Sequence, residues 1–165
     1  MNTAPKIASG HPFLNSAVVT NLANGVVKTL HAMAQVTSIF EKTFVEKNWK
    51  APGEVSVFID LQSPPSFGQV RFHFSRKVLA QLYKNMMNEE IDLDSDDLTD
   101  CLGEISNVCY GYTKGELNKQ GYALRMALPN PGKTVDMPEL ISHHPHIIIP
   151  FTVCEETCYI QIVIL

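Results

Sequence analysis

The sequence predicts a single α+β domain: one mostly antiparallel sheet with helices packed on one face, in the order helix, three strands, two helices, three strands. Three observations lead there. Stretches with apolar residues three and four apart, as from Leu14 to Met33 and from Leu98 to Tyr112, have the period of amphipathic helices. Shorter stretches alternate strictly, as from Val55 to Leu61, which gives a strand one buried and one wetter face and suits antiparallel pairing. Elements in that order pack most simply as one mostly antiparallel sheet with the helices on one face. At 165 residues, 45% hydrophobic and 18% charged, the chain fits one folded domain with a substantial core.

Residues 1 to about 10 are small, aperiodic and read as a flexible tail, with residues 11–165 as the domain. Pro12 suits the first turn of a helix. Leu14, Val18, Leu22, Val26, Leu30 and Met33 then carry that helix from about 12 to 33. Val36, Ser38, Phe40 and Phe44 read as a first strand. Residues 49–53 form a turn, Val55 to Leu61 a second strand, and Val70, Phe72 and Phe74 a third, with Pro64 and Pro65 breaking the chain between them. Ser75 can cap a second helix, whose Val78, Leu79, Leu82, Tyr83 and Met86 share one side. Ser95 with Asp96 and Asp97 opens the third helix, since acids favour the positive end of the helix dipole. It continues to Gln120, with Gly121 as its C′ residue, and its apolar stripe blurs after Gly111, which admits a bend there.

Tyr122, Leu124, Met126 and Leu128 alternate like a further strand. Pro129, Pro131, Gly132 and Pro138 mark a long loop. The apolar run from His146 to Val153 contains Pro150, whose missing donor suits an edge or a bulge. Glu155 to Thr157 reads as a hairpin into Cys158 to Leu165, an apolar strand that needs a neighbour. Two strand triplets, each accompanied by helices, raise an internal pseudo-repeat.

The third helix has two unlike sides. At about 100° per residue, Leu98, Leu102, Ile105, Cys109 and Tyr112 fall on an apolar stripe. Asp100, Glu104, Asn107 and Gly111 fall on the other side, within about 60°. A solvent face is ordinarily filled with Lys, Glu and Gln; this one carries an acid, an amide and two glycines, Gly103 and Gly111. Glycine inside a helix costs about 1 kcal/mol relative to Ala, so two on an exposed face call for a reason, such as close approach by another molecule. Glu104 and Asn107 are three apart and therefore neighbours. The carboxylate can pair with a cation, and the amide, donor and acceptor at once, can orient a water.

Other classes are poorly served. The formal net charge of −4 and the absence of a basic block argue against nucleic acid. Neither a secretory signal nor an apolar run of membrane-spanning length is visible, so a cytoplasmic protein without membrane association is expected. Cys101, Cys109, Cys154 and Cys158 form no CxxC pair, and Cys109 reads as a small core residue. His143, His144 and His146 cluster before Cys154 and Cys158, but not at the regular spacing structural zinc prefers, so no metal site is assigned.

Asp100-x-x-x-Glu104-x-x-Asn107-x-x-x-Gly111 resembles the signature of the CheC/CheX phosphatases of bacterial chemotaxis. Around it, Leu102-Gly103-Glu104-Ile105-Ser106-Asn107 is similar to the family's Leu-Gly-Glu-Ile-x-Asn. Pro12-Phe13-Leu14, Gly68-Gln69-Val70 with Phe74-Ser75, and Ile149-Pro150-Phe151 resemble other family segments. A single copy of the motif points towards CheX. The resemblance implies a CheC/CheX-like fold and dephosphorylation of a CheY-like response-regulator receiver domain. Glu104 would pair with the receiver's active-site Lys, and Asn107 would orient the water that attacks the aspartyl phosphate. Asp100, Gly103, Gly111 and Lys114 would support or flank the contact, with Tyr110 beside them. The resemblance implies no cofactor of its own, Mg2+ on the receiver, and a homodimer paired through sheet edges. The alternative is a non-catalytic receiver-binding or dimerisation module with the same fold.

Overall fold

The structure, a computed structural model, describes residues 10–52, 54–131 and 145–164. The tail expected at residues 1–10 lies almost wholly outside them, as do His143 and His144. Helix α1 (Ser16–Ala34) begins later than Pro12 suggests, because Asn15 is the cap: its backbone is extended and its side chain accepts from the Ala17 amide at 2.7 Å. Gln35, in the left-handed region, closes the helix, and Val36 N–H reaches back to the Leu30 carbonyl at 3.4 Å. The single strand expected around 36–44 is two short ones, β1 (Ile39–Phe40) and β2 (Phe44–Glu46). Strands β3 (Val55–Ser63) and β4 (Ser66–Phe74) form a hairpin in full register, turning at the cis-linked pair Pro64–Pro65. Helix α2 (Arg76–Met87) is capped by Ser75, whose hydroxyl accepts from Val78 N–H at 3.2 Å.

Helix α3 (Asp97–Lys119) is continuous through Gly111. Gly121, at φ +96°, ends it: Gly121 and Tyr122 amides return to the Asn118 and Leu117 carbonyls at 3.2 and 3.1 Å. The strand expected at 122–128 is absent. Those residues follow an irregular path tied to α3 side chains on one side and to Gln62 and Ser63 at the end of β3 on the other, and only Asn130–Pro131 pairs as β5. Strands β6 (His146–Val153) and β7 (Glu156–Ile164) form the second hairpin, turning at Cys154 and Glu155, both at positive φ.

The sheet runs β1-β6-β7-β4-β3-β5, with β2 also on β6, and every pairing is antiparallel. The C-terminal strand β7 therefore lies inside the sheet, between β6 and β4, and already has both neighbours. Pro150 sits opposite the gap between β1 and β2. Its carbonyl accepts from Glu41 N–H at 2.9 Å, so its donorless nitrogen faces the same gap, where no ladder bond is required. The topology contains a repeat. Each half runs long helix, short strand material, hairpin: α1, β1/β2, β3–β4, then α3, β5, β6–β7. The hairpins meet at β4–β7, and each half's short strands cross to the other half's outer strand. Helix α2 falls between the halves.

Val55, Val57, Ile59 and Leu61 share a sheet face with Val70, Phe72, Phe74, Ile160 and Ile162, and the helices bury it with Leu22, Leu30, Leu79, Leu102 and Ile105. The opposite face carries a buried polar chain across four strands. Ser56 Oγ lies 2.7 Å from His73 Nδ1, His73 Nε2 lies 2.9 Å from Gln161 Oε1, and Gln161 Nε2 lies 2.7 Å from His146 Nδ1. With both histidines neutral, each contact has one donor and one acceptor.

Candidate functional site

Helix α3 crosses α1 where Gly25 lets the backbones meet. A Cβ there would lie 2.8 Å from Thr113 Oγ1 and 3.1 Å from the Cys109 carbonyl oxygen. Thr113 Oγ1 donates to Cys109 O at 2.9 Å, and Cys109 is fully buried. With that side locked to α1, α2 and β3, the opposite sector of α3 faces out. Asp100, Glu104 and Gly111 are exposed; Gly103, Asn107 and Lys114 are half-buried. The structure thus brings together every residue of the sector expected from the helical period. Among the described residues, no side-chain hydrogen bond or ion pair engages Asp100, Glu104, Asn107 or Lys114. Their polar groups are free to meet another molecule.

The glycines on this face have no internal purpose. A Cβ at Gly103 or Gly111 would meet nothing within 4 Å, and Gly115, which sequence reading did not single out, is equally open. Tyr110 departs from expectation. It is 1% exposed and turned inward, its hydroxyl donating to the Arg125 carbonyl at 2.7 Å, so it does not flank the face. Burial, with a smaller contribution from Asp60, pushes its phenol up to about 12 and keeps it a donor. Tyr112 also leaves the apolar stripe: it is half-buried under Lys28, whose Nζ lies 4.4 Å from the ring centre.

Beside the face is an open cleft of about 390 Å³. Asp100, Gly103, Glu104 and Asn107 form one wall, with Thr99 above; Leu128, Pro129 and Pro131 form the other, with Val57 at its base. Sequence reading missed this second wall because it took 122–128 for a strand. Asn118 and Tyr110 hold the segment in place. Asn118 donates to the Leu124 carbonyl at 3.1 Å and accepts from its amide at 2.8 Å. On the sheet side, Arg125 N–H donates to Gln62 O at 2.9 Å. Among the described residues no group of three or more His, Cys, Asp and Glu is placed to hold a metal ion. No described helix is long and apolar enough to cross a membrane.

In chemical terms the site offers a carboxylate, an amide and a low backbone, but no nucleophile of its own. It is suited to positioning reactants that another molecule brings.

Comparison with known proteins agrees with this architecture. Residues 55–152 match the family model of the chemotaxis phosphatase CheX. No curated protein matches. A CheC-like superfamily protein from Shewanella sp. PV-4 is 26% identical, with 92% of this chain and 99% of that one covered and a TM-score of 0.79. A CheX from Vibrio vulnificus is 25% identical, with 90% and 99% covered and a TM-score of 0.77. At 18% identity, the CheX–CheY–BeF3–Mg2+ complex from Borrelia burgdorferi shares the fold, with 89% and 97% covered and a TM-score of 0.70. The family model spans more than half of the chain, including all of β3, β4, α2 and α3, and the chain belongs to the CheX family of chemotaxis phosphatases.

Proposed function

We propose that this chain hydrolyses the aspartyl phosphate of a CheY-like response-regulator receiver domain in the cytoplasm. The observation that carries the reading is the outward sector of α3, where Glu104 and Asn107 stand unengaged, one helical turn apart, between glycines whose side-chain space is empty. Glu104 pairs with the receiver's active-site Lys and sets the position of the helix. Asn107 enters the receiver's site and orients a water in line with the phosphorus, its carbonyl oxygen accepting from the water while its NH2 donates elsewhere. The Mg2+ belongs to the receiver, as the Borrelia burgdorferi complex suggests for that partner. Most of the acceleration is positioning of a water that the receiver's own site already activates. Gly103 and Gly111 keep the helix surface low, Asp100 adds negative charge beside Glu104, and Lys114 borders the contact and affects which receiver fits.

The test is phosphate loss from an isolated receiver charged with a small phosphodonor. Asn107→Ala is expected to return the rate to that of the receiver alone, and Glu104→Ala to weaken binding as well. An Asn107→Ala protein with the full rate would eliminate the mechanism.

The chain also pairs as a homodimer in this reading, through the β1/β2 edge. Ile39 and Val45 there are 66% and 61% exposed, and the outer backbone groups of an edge strand invite a second strand. Sedimentation that finds only monomer at high concentration would rule this out.

A further inference from the structure

The cleft beside α3 has a wall that the water-positioning mechanism does not use. Leu128 is 70% exposed on it, and Met126, two residues earlier, is 75% exposed; these are the most exposed large apolar side chains among the described residues. They are not on a floppy segment, since Leu124 and Arg125 are tied to Asn118, Tyr110 and Gln62. Pro129 and Pro131 have no N–H, so the wall presents hydrocarbon and few donors. The facing wall carries two exposed acids, Asp100 and Glu104, and among the described residues no cation lines the cleft. A surface that fits both walls has a basic group beside an apolar side chain: the cation meets the acids, and the apolar group covers Leu128.

We propose that the Leu128 wall is the specificity-determining half of the docking site, receiving an apolar side chain of the receiver that lies next to its Lys. This rests on the phosphatase reading above and adds a division of labour. The α3 face grips the receiver's Lys and alone sets turnover, and the Leu128 wall adds affinity and selectivity without touching the chemical step.

Steady-state dephosphorylation separates the two. The probes are the receiver domains encoded by the same genome, each phosphorylated with a small phosphodonor and taken singly. For the best of them, Leu128→Asp is expected to raise KM at least tenfold while kcat stays within twofold, and Leu128→Ala to raise KM about threefold. Leu128 is solvent-exposed, and matching circular dichroism and melting curves would confirm that both variants fold. Binding of the same receiver loaded with beryllofluoride should weaken in parallel. An unchanged KM in Leu128→Asp, alongside an inactive Asn107→Ala, would overturn the proposal and leave the phosphatase reading intact. Loss of kcat alone in Leu128→Asp would also overturn it, as would conversion of a dimer to monomer, which would assign the wall to a second copy of this chain. Full activity in Asn107→Ala would instead remove the reading on which the proposal rests.

Discussion

Helices α1 and α3 hold equivalent places in the two halves of the fold, yet only one carries a candidate site. Each precedes short strand material that crosses to the other half, and each buries a threonine, Thr29 or Thr113, along its apolar side. Their outer faces differ. Between Ser16 and Ala34 α1 has no acid, whereas α3 has Asp97, Asp100, Glu104 and Glu116. The amide Asn21 on α1 is buried and donates to the Ala17 carbonyl at 2.8 Å; Asn107 on α3 is unengaged. Gly25 is wedged at the helix crossing, while Gly103, Gly111 and Gly115 border open space. A glycine or an asparagine in a helix therefore indicates nothing by itself. What separates scaffold from site is whether the neighbouring space is filled by the protein or left for a partner.

The largest effect should come from exchanging the two amides' fates. Asn107→Ala is expected to lower the accelerated rate of phosphate loss by about 100- to 1,000-fold, the usual consequence of losing one well-placed polar group at a reacting centre. Stability should move by less than about 0.5 kcal/mol, because the side chain makes no internal bond. Asn21→Ala should do the reverse, keeping turnover and shifting the denaturation midpoint modestly through its lost bond. Equal rate losses in both variants would collapse the distinction between the helices.

The polar chain behind the sheet offers a change confined to scaffold. His73 is lowered to about 4: burial is the largest cause, the Gln161 bond partly opposes it, and the nearby Arg71 charge adds to the lowering. An unfolded histidine titrates near 6.5, so the neutral form is favoured in the fold. Its contribution is fully present above about 6.5 and is lost as pH falls towards 4, amounting to roughly 3 kcal/mol at most. Urea midpoints at pH 7.5, 5.5 and 4.5 should show that loss, and His73→Gln should flatten it. Receiver binding above pH 6.5 should not change, since His73 lies on the sheet face away from the helices.

Glycine substitutions sharpen the contrast further. Gly25→Ala forces a methyl to within 2.8 Å of Thr113 Oγ1 and should destabilise by about 1–3 kcal/mol. Gly111→Ala meets nothing internally and should stabilise by about 1 kcal/mol through helix propensity alone. If Gly111→Ala is more stable but binds the receiver more weakly, the open glycine is there for the partner; unchanged binding would mean the surface tolerates a methyl at that position.

Much of this was legible in the sequence because the governing signals are local. The helical period placed Asp100, Glu104, Asn107 and Gly111 on one surface, and the strict alternation of Val55 to Leu61 identified a half-buried strand. The misreadings have non-local causes. Tyr122 to Leu128 alternates like a strand, but only Leu124 among the alternating residues is buried, and its backbone bonds to an Asn118 side chain rather than a ladder. Tyr110 lies at the boundary of the apolar stripe, and the segment that covers it comes from beyond the helix's end. The central place of β7 depends on β4, nearly a hundred residues earlier, and no period in either strand encodes that partnership.

The smallest expected effect distinguishes the two hairpins. The first turns on Pro64–Pro65, whose rings restrict φ before folding. The second turns on Cys154 and Glu155, at φ 50° and 65°, where side chains other than Gly, Asn and Asp are disfavoured. Positive φ at both central residues is the geometry in which Gly is preferred at the second position. Glu155→Gly should therefore relieve left-handed strain of about 1 kcal/mol, offset in part by the greater freedom of an unfolded glycine, for a net gain of about 0.5 kcal/mol. Neither Cys154 nor Glu155 lines the cleft beside α3, so phosphate-loss kinetics should not change. A chemical-denaturation midpoint that falls in Glu155→Gly would mean the Glu155 side chain contributes more to the hairpin than its backbone conformation costs. The second half would then owe its stability to side-chain contacts at the turn.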